Sequence, residues 1–127
     1  MTATALATAQ APAAIGPYSQ GIKAEGATIY VSGQIPIDPA TGEFAGEDIA
    51  TQTAQCFKNI AAILGEAGAS LADVVDVTVL LADIADFAAM NEVYATFFDE
   101  PYPARAAFQA AALPKGARVE IKATAVI

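Results

Sequence analysis

The sequence predicts an α+β fold in which one sheet carries two helices on a single face. Runs rich in β-branched and apolar residues occur at 28–32 and 74–81, and two other stretches have apolar residues at helical spacing. The elements follow the order β-β-α-β-α-β-β, which favours one layer of sheet under one layer of helix. At 127 residues the chain is long enough for one sizeable core, so we expect a single domain spanning residues 1–127.

The first third of the chain predicts strands separated by turns. Residues 1–15 are rich in Ala and Thr without a clear period, which is typical of either an edge strand or a loose arm. Residues 16–21 and 38–42 contain the Gly, Pro, Asp and Ser residues of turns. Residues 28–32 are β-branched and aromatic and predict a strand, which we expect the Gly-Gln-Ile-Pro sequence at 33–36 to end.

The middle of the chain predicts a helix followed by a buried strand. The apolar face of the helix is expected to consist of Ile49, Thr53, Phe57, Ile60 and Leu64. Asp48 suits the positive end of this helix, and Gly65 and Gly68 suit its last turn. Residues 74–81 are apolar on both faces, which is typical of a central, covered strand.

The last third predicts a second helix and a closing hairpin. Asp83 or Asp86 can cap the helix, and two prolines prevent its continuation beyond residue 100. Its apolar stripe is expected to be Phe87, Met90, Tyr94 and Phe97. Residues 102–121 then predict strand, tight turn and strand, with Pro114 and Gly116 as the turn residues.

Composition excludes several classes of function. Hydrophobic residues make up 55% of the chain and charged residues 16%, so a monomer would expose a large apolar patch. Such a patch usually marks an interface, and we therefore expect a closed homo-oligomer. The net charge of -8, from 14 acidic and 6 basic residues, has the wrong sign for binding phosphates, so no nucleic-acid partner is expected.

The rarity of His and Cys removes further chemistry. There is no His, which excludes the commonest general base and transition-metal ligand, and we expect no metal site and no cofactor. Cys56 is the only cysteine, so no intrachain disulfide forms, and its place near the helix stripe predicts a buried structural thiol. No secretory signal or membrane-spanning segment is recognisable, so a cytoplasmic protein is expected.

One basic residue stands out among so few. Arg105 lies inside an apolar run, where an unpaired guanidinium would be costly. Its partner is Glu120, another internal carboxylate, or the anionic part of a ligand; from the residues alone, a purely structural salt bridge between Arg105 and Glu120 is an equal alternative to a ligand site.

Several motifs in order resemble the RidA family, some members of which carry the name endoribonuclease L-PSP. They are GPYSQG at 16–21, SGQIP at 32–36, YPARAAF at 102–108 and ALPKGARVEI at 112–121. The resemblance covers essentially the whole chain. It implies a chorismate-mutase-like fold of the bacillus type, assembled as a homotrimer with ligand clefts between neighbouring subunits. It also implies hydrolysis of reactive 2-imino (enamine) acids to 2-keto acids and ammonia.

The resemblance also implies roles for individual residues. Arg105 matches the arginine that binds the substrate carboxylate, Glu120 the acid that holds the hydrolytic water, and Tyr18 the aromatic residue that closes over the ligand. Further cleft residues are Ser32, Gly33 and Asn91. Many members have Cys where this chain has Ala107; the backbone N–H that helps to bind the carboxylate is kept there, but any role of a thiol is excluded.

Four other functions compete with imine hydrolysis. A non-catalytic trimer that binds 2-keto acids would use Arg105 in the same way, so only turnover separates the two. A ribonuclease or translation inhibitor is disfavoured by the negative charge and the missing His. A holdase chaperone would bind unfolded clients whether or not Arg105 is present. A chorismate mutase needs several cationic contacts for its dicarboxylate, and only Arg105 is placed to offer one.

Overall fold

The computed structural model of the chain describes residues 2–127, which form eight strands and two helices. The strands are β1 (Thr2–Leu6), β2 (Gly21–Glu25), β3 (Thr28–Gln34), β4 (Ile37–Asp38), β5 (Glu43–Phe44), β6 (Val74–Leu81), β7 (Ala104–Gln109) and β8 (Val119–Val126). The helices are α1 (Ile49–Glu66) and α2 (Phe87–Phe97), and short 3-10 turns lie at Leu71–Asp73, Ile84–Asp86 and Pro114–Gly116. Neither helix in this part of the chain is long and apolar enough to cross a membrane.

The main sheet has four strands in the order β3-β8-β6-β7. β8 runs antiparallel to both β3 and β6, whereas β6 and β7 are parallel. The α+β class and its two helices are therefore confirmed. The single sheet predicted from the sequence is too simple, because within residues 2–127 β1 pairs with β2, and β4 with β5, in separate two-stranded ribbons.

The predicted closing hairpin is wrong, because β6 lies between β7 and β8. Val79 of β6 has Ala107 of β7 as its neighbour on one side and Ile121 of β8 on the other. The connection from β7 to β8 contains the expected turn at Pro114–Gly116, but it passes over the end of β6, where the Ala110 N–H donates to the Leu81 carbonyl. An apolar central strand gains hydrogen-bonded neighbours on both sides in this arrangement.

Both helices pack on one face of the main sheet. The core consists of alternate sheet residues and the apolar faces of the helices, including Val77, Val79, Leu81, Val119, Ile121, Phe57, Ile60, Leu64, Met90 and Tyr94. Cys56 is buried within it, as predicted. The opposite face of the sheet is not covered in a single chain, and Tyr30 and Phe108 on that face are 76% and 49% exposed. β6 is thus central in the sheet but covered on one face only.

The helix starts follow the sequence closely. Asp48 caps α1, with its carboxylate accepting the Thr51 N–H at 2.9 Å. Asp83 caps the 3-10 turn that leads into α2, whereas the carboxylate of Asp86 accepts from Arg118 instead. α1 ends at Glu66, before the predicted glycine at 68.

One side of α1 fixes the chain that follows β3. The Cys56 thiol donates to the Gln34 carbonyl at 3.2 Å. Gln52, which is buried, donates to the Gly46 carbonyl and accepts the Arg118 N–H. These bonds satisfy the Gly46 carbonyl and the Arg118 N–H, and they attach the last residue of β3 to the core.

Candidate active site

Arg105 lies on β7 and faces the helices. Its neighbour across the parallel ladder is Val77, a fully buried core residue on the helix-covered face. The guanidinium Nη1 donates to Oδ1 of Asn91 on α2 at 2.6 Å. Within residues 2–127 no carboxylate pairs with Arg105, since the salt bridge found there joins Arg118 and Asp86. Burial lowers the pKa of the Arg105 guanidinium, which nevertheless stays charged at neutral pH.

Aromatic rings surround this guanidinium. Its Cζ lies 4.7 Å from the ring centroid of Tyr94, 5.5 Å from that of Tyr18 and 5.6 Å from that of Phe87. These distances are within the range of a cation–π interaction, which is strongest where the cation has lost water. The arginine half-site is therefore defined as Arg105 together with Asn91, Tyr18, Phe87 and Tyr94.

The turn at 16–21 is anchored to the chain just before β7. The Ser19 hydroxyl donates to the Tyr102 carbonyl, and the Ser19 N–H donates to the Pro103 carbonyl at 3.1 Å. The neighbouring residue Tyr18 is therefore fixed beside Arg105. Tyr18 and Arg105 therefore lie side by side within a single chain.

Ala107 presents its backbone at the edge of the sheet. The N–H of Ala110 donates to β6, and the backbone N–H groups of successive residues in a strand point to alternate sides. The N–H of Ala107, three residues earlier, therefore points away from β6. Within residues 2–127 no strand pairs with that edge of β7. Ala107 follows Arg105 by two positions on the same extended strand, so β7 carries both the free N–H and the guanidinium.

Glu120 lies on the opposite face of the sheet from Arg105. Its neighbour on β6 is Leu80, whereas the neighbour of Arg105 is Val77, and odd and even positions of a strand point to opposite faces. The carboxylate of Glu120 abuts the backbone of Gly33, so closely that a Cβ there would overlap Oε2. We call Glu120 and Gly33 the glutamate half-site.

A bulge in β3 creates this close approach. The pairing of β3 with β8 shifts register between Val31 and Gln34, and Ser32 and Gly33 lie in the shifted segment. Ser32 is exposed beside Gly33.

Burial, and then the nearby charge of Glu120, raise the pKa of Cys56 from its usual 9.0 to about 12, so this thiol stays neutral.

The predicted site residues therefore fall into two groups within one chain. Tyr18, Asn91 and Ala107 lie with or next to Arg105, and Ser32 and Gly33 lie with Glu120. The internal pair of Arg105 and Glu120 considered from the sequence does not form in a single chain. A pair between copies of the chain stays a prediction.

Sequence reasoning missed three residues of the arginine half-site and its support. The sequence predicts Phe87 and Tyr94 only as part of the apolar stripe of α2, whereas their rings face Arg105. It predicts Ser19 only as a turn residue, whereas its hydroxyl anchors the turn to the Tyr102 carbonyl. The signal was present in the spacing, because Phe87, Asn91 and Tyr94 follow one another at four and three residues and so share one helix face. Their common target could not be known before β7 was placed beside that face.

Comparison with known proteins identifies the family. The profile of the family described as endoribonuclease L-PSP matches residues 8–127. The chain belongs to this family, the RidA family. Among relatives, a RutC family protein of Sinorhizobium fredii is 55% identical over 118 residues, covering 93% of each chain. The 2-iminobutanoate/2-iminopropanoate deaminase of goat (Capra hircus) is 53% identical over 121 residues, covering 95% of this chain and 88% of the goat protein.

Solved structures of RidA-family proteins share the fold. The crystal structure of Escherichia coli TdcF with bound serine superposes with a TM-score of 0.76 at 44% identity, covering 98% of each chain. The names within the RidA family are mixed: endoribonuclease, RutC protein and imine deaminase all occur among its members. Membership of the family therefore leaves the reaction of this chain to be argued from its own residues.

Proposed function

We propose that this RidA-family chain is a hydrolytic deaminase that converts small 2-imino acids, of the 2-iminobutanoate and 2-iminopropanoate type, into 2-keto acids and ammonia. One observation carries the proposal: a half-buried guanidinium, held by Asn91 and aromatic rings, has no carboxylate partner within residues 2–127. A buried charge is normally paired. The carboxylate of a ligand would supply the missing partner of Arg105.

The substrate carboxylate would be bound by Arg105 and the edge of β7. A guanidinium has N–H donors in a planar fork that matches a carboxylate, and only Nη1 is engaged by Asn91. The outward N–H of Ala107 adds a backbone donor at the same edge. The serine bound to TdcF is likewise a small molecule with a carboxylate next to a nitrogen-bearing carbon.

Glu120 would direct the water that attacks the imine. The water oxygen adds to C2 while one of its protons passes through the carboxylate to nitrogen, which gives a carbinolamine. The hydroxyl proton of the carbinolamine then passes to the amine, the C2–N bond breaks, ammonia leaves and a C=O bond replaces C=N. A carboxylate suits this task because it accepts a hydrogen bond from water and can carry a proton. The imine carbon is already electrophilic, so fixing the water and the substrate would supply much of the rate gain.

A neighbouring copy is needed to complete this site. Arg105 and Glu120 face opposite sides of the sheet in one chain. We therefore propose the homotrimer of the chorismate-mutase-like assembly, in which the uncovered sheet face, with Tyr30 and Phe108, is buried between subunits. Each cleft would then take its arginine half-site from one subunit and its glutamate half-site from the next.

The first experiment measures the loss of 2-imino acids directly. An amino-acid oxidase generates the imine, and semicarbazide traps what remains. The wild type should lower the trapped amount, and Arg105→Ala and Glu120→Ala should not, provided that all three have the same oligomeric state. Trapping equal to the no-enzyme reaction for wild type across several imines would overturn the proposed activity.

Mixing the two inactive variants tests the shared cleft. If Arg105 and Glu120 of one site come from different subunits, mixed trimers of Arg105→Ala and Glu120→Ala contain some clefts with both residues intact. Activity should then return after the two proteins are dissociated and reassembled together. No recovery in trimers shown by mass to be mixed would mean that the residues do not meet across the interface.

A second candidate is a trimer that binds 2-keto acids without useful turnover. It is favoured by the arginine half-site, which is assembled within one chain, whereas the glutamate half-site is not beside it. Binding of 2-oxobutanoate that depends on Arg105, with no imine hydrolysis by the trimer, would select this candidate. The ribonuclease suggested by the family description would instead need RNA binding by a chain of net charge -8.

A further inference from the structure

Tyr94 has two unusual features in one side chain. Its ring is the one nearest to Arg105, with the guanidinium carbon 4.7 Å from the ring centroid. It is fully buried, yet its hydroxyl has no hydrogen-bond partner within residues 2–127. A buried, unpartnered hydroxyl destabilises a fold relative to phenylalanine. The hydroxyl therefore does not explain why Tyr94 packs beside Arg105.

The ring can do for Arg105 what a carboxylate cannot. A carboxylate would stabilise the buried charge but would occupy the N–H donors and cancel the charge that an anionic ligand needs. An aromatic face stabilises a cation through its quadrupole and leaves the N–H edge free. Tyr94 is itself fixed, since its ring packs against Phe57 at 5.5 Å and Phe98 at 4.9 Å between centroids.

We propose that Tyr94 is a positioning residue whose ring, and not its hydroxyl, fixes the Arg105 guanidinium so that its N–H edge is presented to a ligand carboxylate. This rests on the proposed function in assigning Arg105 to carboxylate binding. Asn91 holds the same group through Nη1, so the guanidinium is restrained by the Tyr94 ring and by a hydrogen bond to Asn91. The order is present before any ligand binds, which lowers the entropy lost on binding.

The test compares four variants by the Kd for 2-oxobutanoate. Tyr94→Phe keeps the ring and should bind as wild type does. Tyr94→Leu and Tyr94→Met remove the ring and should raise Kd about ten-fold, within the range of a desolvated cation–π contact. Phe97→Leu is the matched control, because it truncates a ring of the same cluster that stacks on Phe57 and has no ring contact with Tyr94 or Arg105 within residues 2–127. Its stability should fall and its Kd should stay at the wild-type value.

Kinetics and NMR separate positioning from general loosening. With imine substrates, Tyr94→Met should raise KM far more than it lowers kcat, because the carboxylate contact is made in ground and transition state alike. In the ligand-free protein, the Arg105 Nε–Hε signal should be rigid in wild type and Tyr94→Phe and mobile in Tyr94→Met. Unchanged Kd and NMR order in the ring-free variants would overturn the proposal, as would equal weakening in Phe97→Leu or any weakening in Tyr94→Phe.

Failure of the function and failure of this inference give different results. If wild type hydrolyses imines but loss of the Tyr94 ring changes neither Kd nor Arg105 order, only the inference fails. If wild type binds 2-oxobutanoate without hydrolysing imines and the variants behave as expected, the deaminase activity fails and the inference stands. If wild type binds no 2-keto acid, the Arg105 signal alone decides the role of Tyr94.

Discussion

Replacing Gly33 by Ala is expected to inactivate the chain while leaving it folded. A Cβ at Gly33 would overlap Oε2 of Glu120 and come within 3.0 Å of Cδ and 3.3 Å of Cγ. Non-bonded heavy atoms prefer about 3.5–4.0 Å, so the carboxylate must move by roughly 1 Å. The φ angle of Gly33 is not in the left-handed region, so alanine brings no backbone strain. A carboxylate at the end of a half-buried side chain can move at small cost, and we expect stability to change by less than about 1 kcal/mol.

The effect on catalysis should be much larger. A misplacement of about 1 Å can cost about a hundred-fold in rate, so kcat/KM for imine hydrolysis should fall by about that factor in Gly33→Ala. Binding of 2-oxobutanoate to the arginine half-site should be retained. The assay is semicarbazide trapping of the remaining imine, with Kd measured by calorimetry on the same preparation.

A double-mutant cycle makes this reasoning refutable. If Gly33→Ala acts only by moving Glu120, it should have no further effect in a Glu120→Ala background. Gly65→Ala is the matched control, since a Cβ at Gly65 meets nothing within 4 Å, and it should be fully active. Wild-type turnover in Gly33→Ala, or additive losses in the double mutant, would show that the position of Glu120 does not limit the reaction.

Three further predictions concern stability and assembly. The Cys56 thiol should resist alkylation until urea unfolds the chain, because burial raises its pKa from 9.0 to about 12. The stability that the protonated thiol contributes is therefore present below pH 9 and is lost as the pH rises towards 12. Above pH 9 the urea midpoint of Cys56→Ala should accordingly fall less steeply than that of the wild type. Gln52→Ala leaves the Gly46 carbonyl and the Arg118 N–H without partners and should lower the free energy of unfolding by about 2–3 kcal/mol in urea titrations, and a smaller loss would mean that water replaces the amide. Phe108→Glu places a charge on the uncovered sheet face and should dissociate the oligomer in analytical ultracentrifugation, whereas an unchanged mass would exclude this face as the interface.

The local elements could be predicted from the sequence because their signals are local. β6 has the predicted bounds of 74–81, since a run of mostly Val and Leu, broken only by Asp76 and Thr78, lies between Asp73 and the Ala-Asp pair at 82–83. α1 begins after Asp48 because a carboxylate there satisfies a free N–H of the first turn. The predicted end of β3 before Gly33 is too early, because the strand continues through a bulge to Gln34.

The order of strands could not be predicted from the same signals. β7 and β8 are consecutive strands joined through a turn, and consecutive strands often pair, so a hairpin was the natural expectation. Which strand fills the place between them depends on where the whole of β6 packs. The face of the sheet that Arg105 or Glu120 occupies depends in turn on that order. The spacing of residues in the sequence therefore cannot predict that the two side chains lie on opposite faces.

The separation of Arg105 from Glu120 has a physical advantage for the proposed function. If the two charges met within one chain, they would neutralise each other, and a ligand carboxylate would have to displace a strong ion pair before binding. In the structure the guanidinium is stabilised by Asn91 and the ring of Tyr94, neither of which carries a negative charge. The Glu120 carboxylate lies against Gly33 on the other side of the sheet. The sheet thus keeps both charges available, and they would approach each other only in a cleft between subunits, where the substrate lies between them.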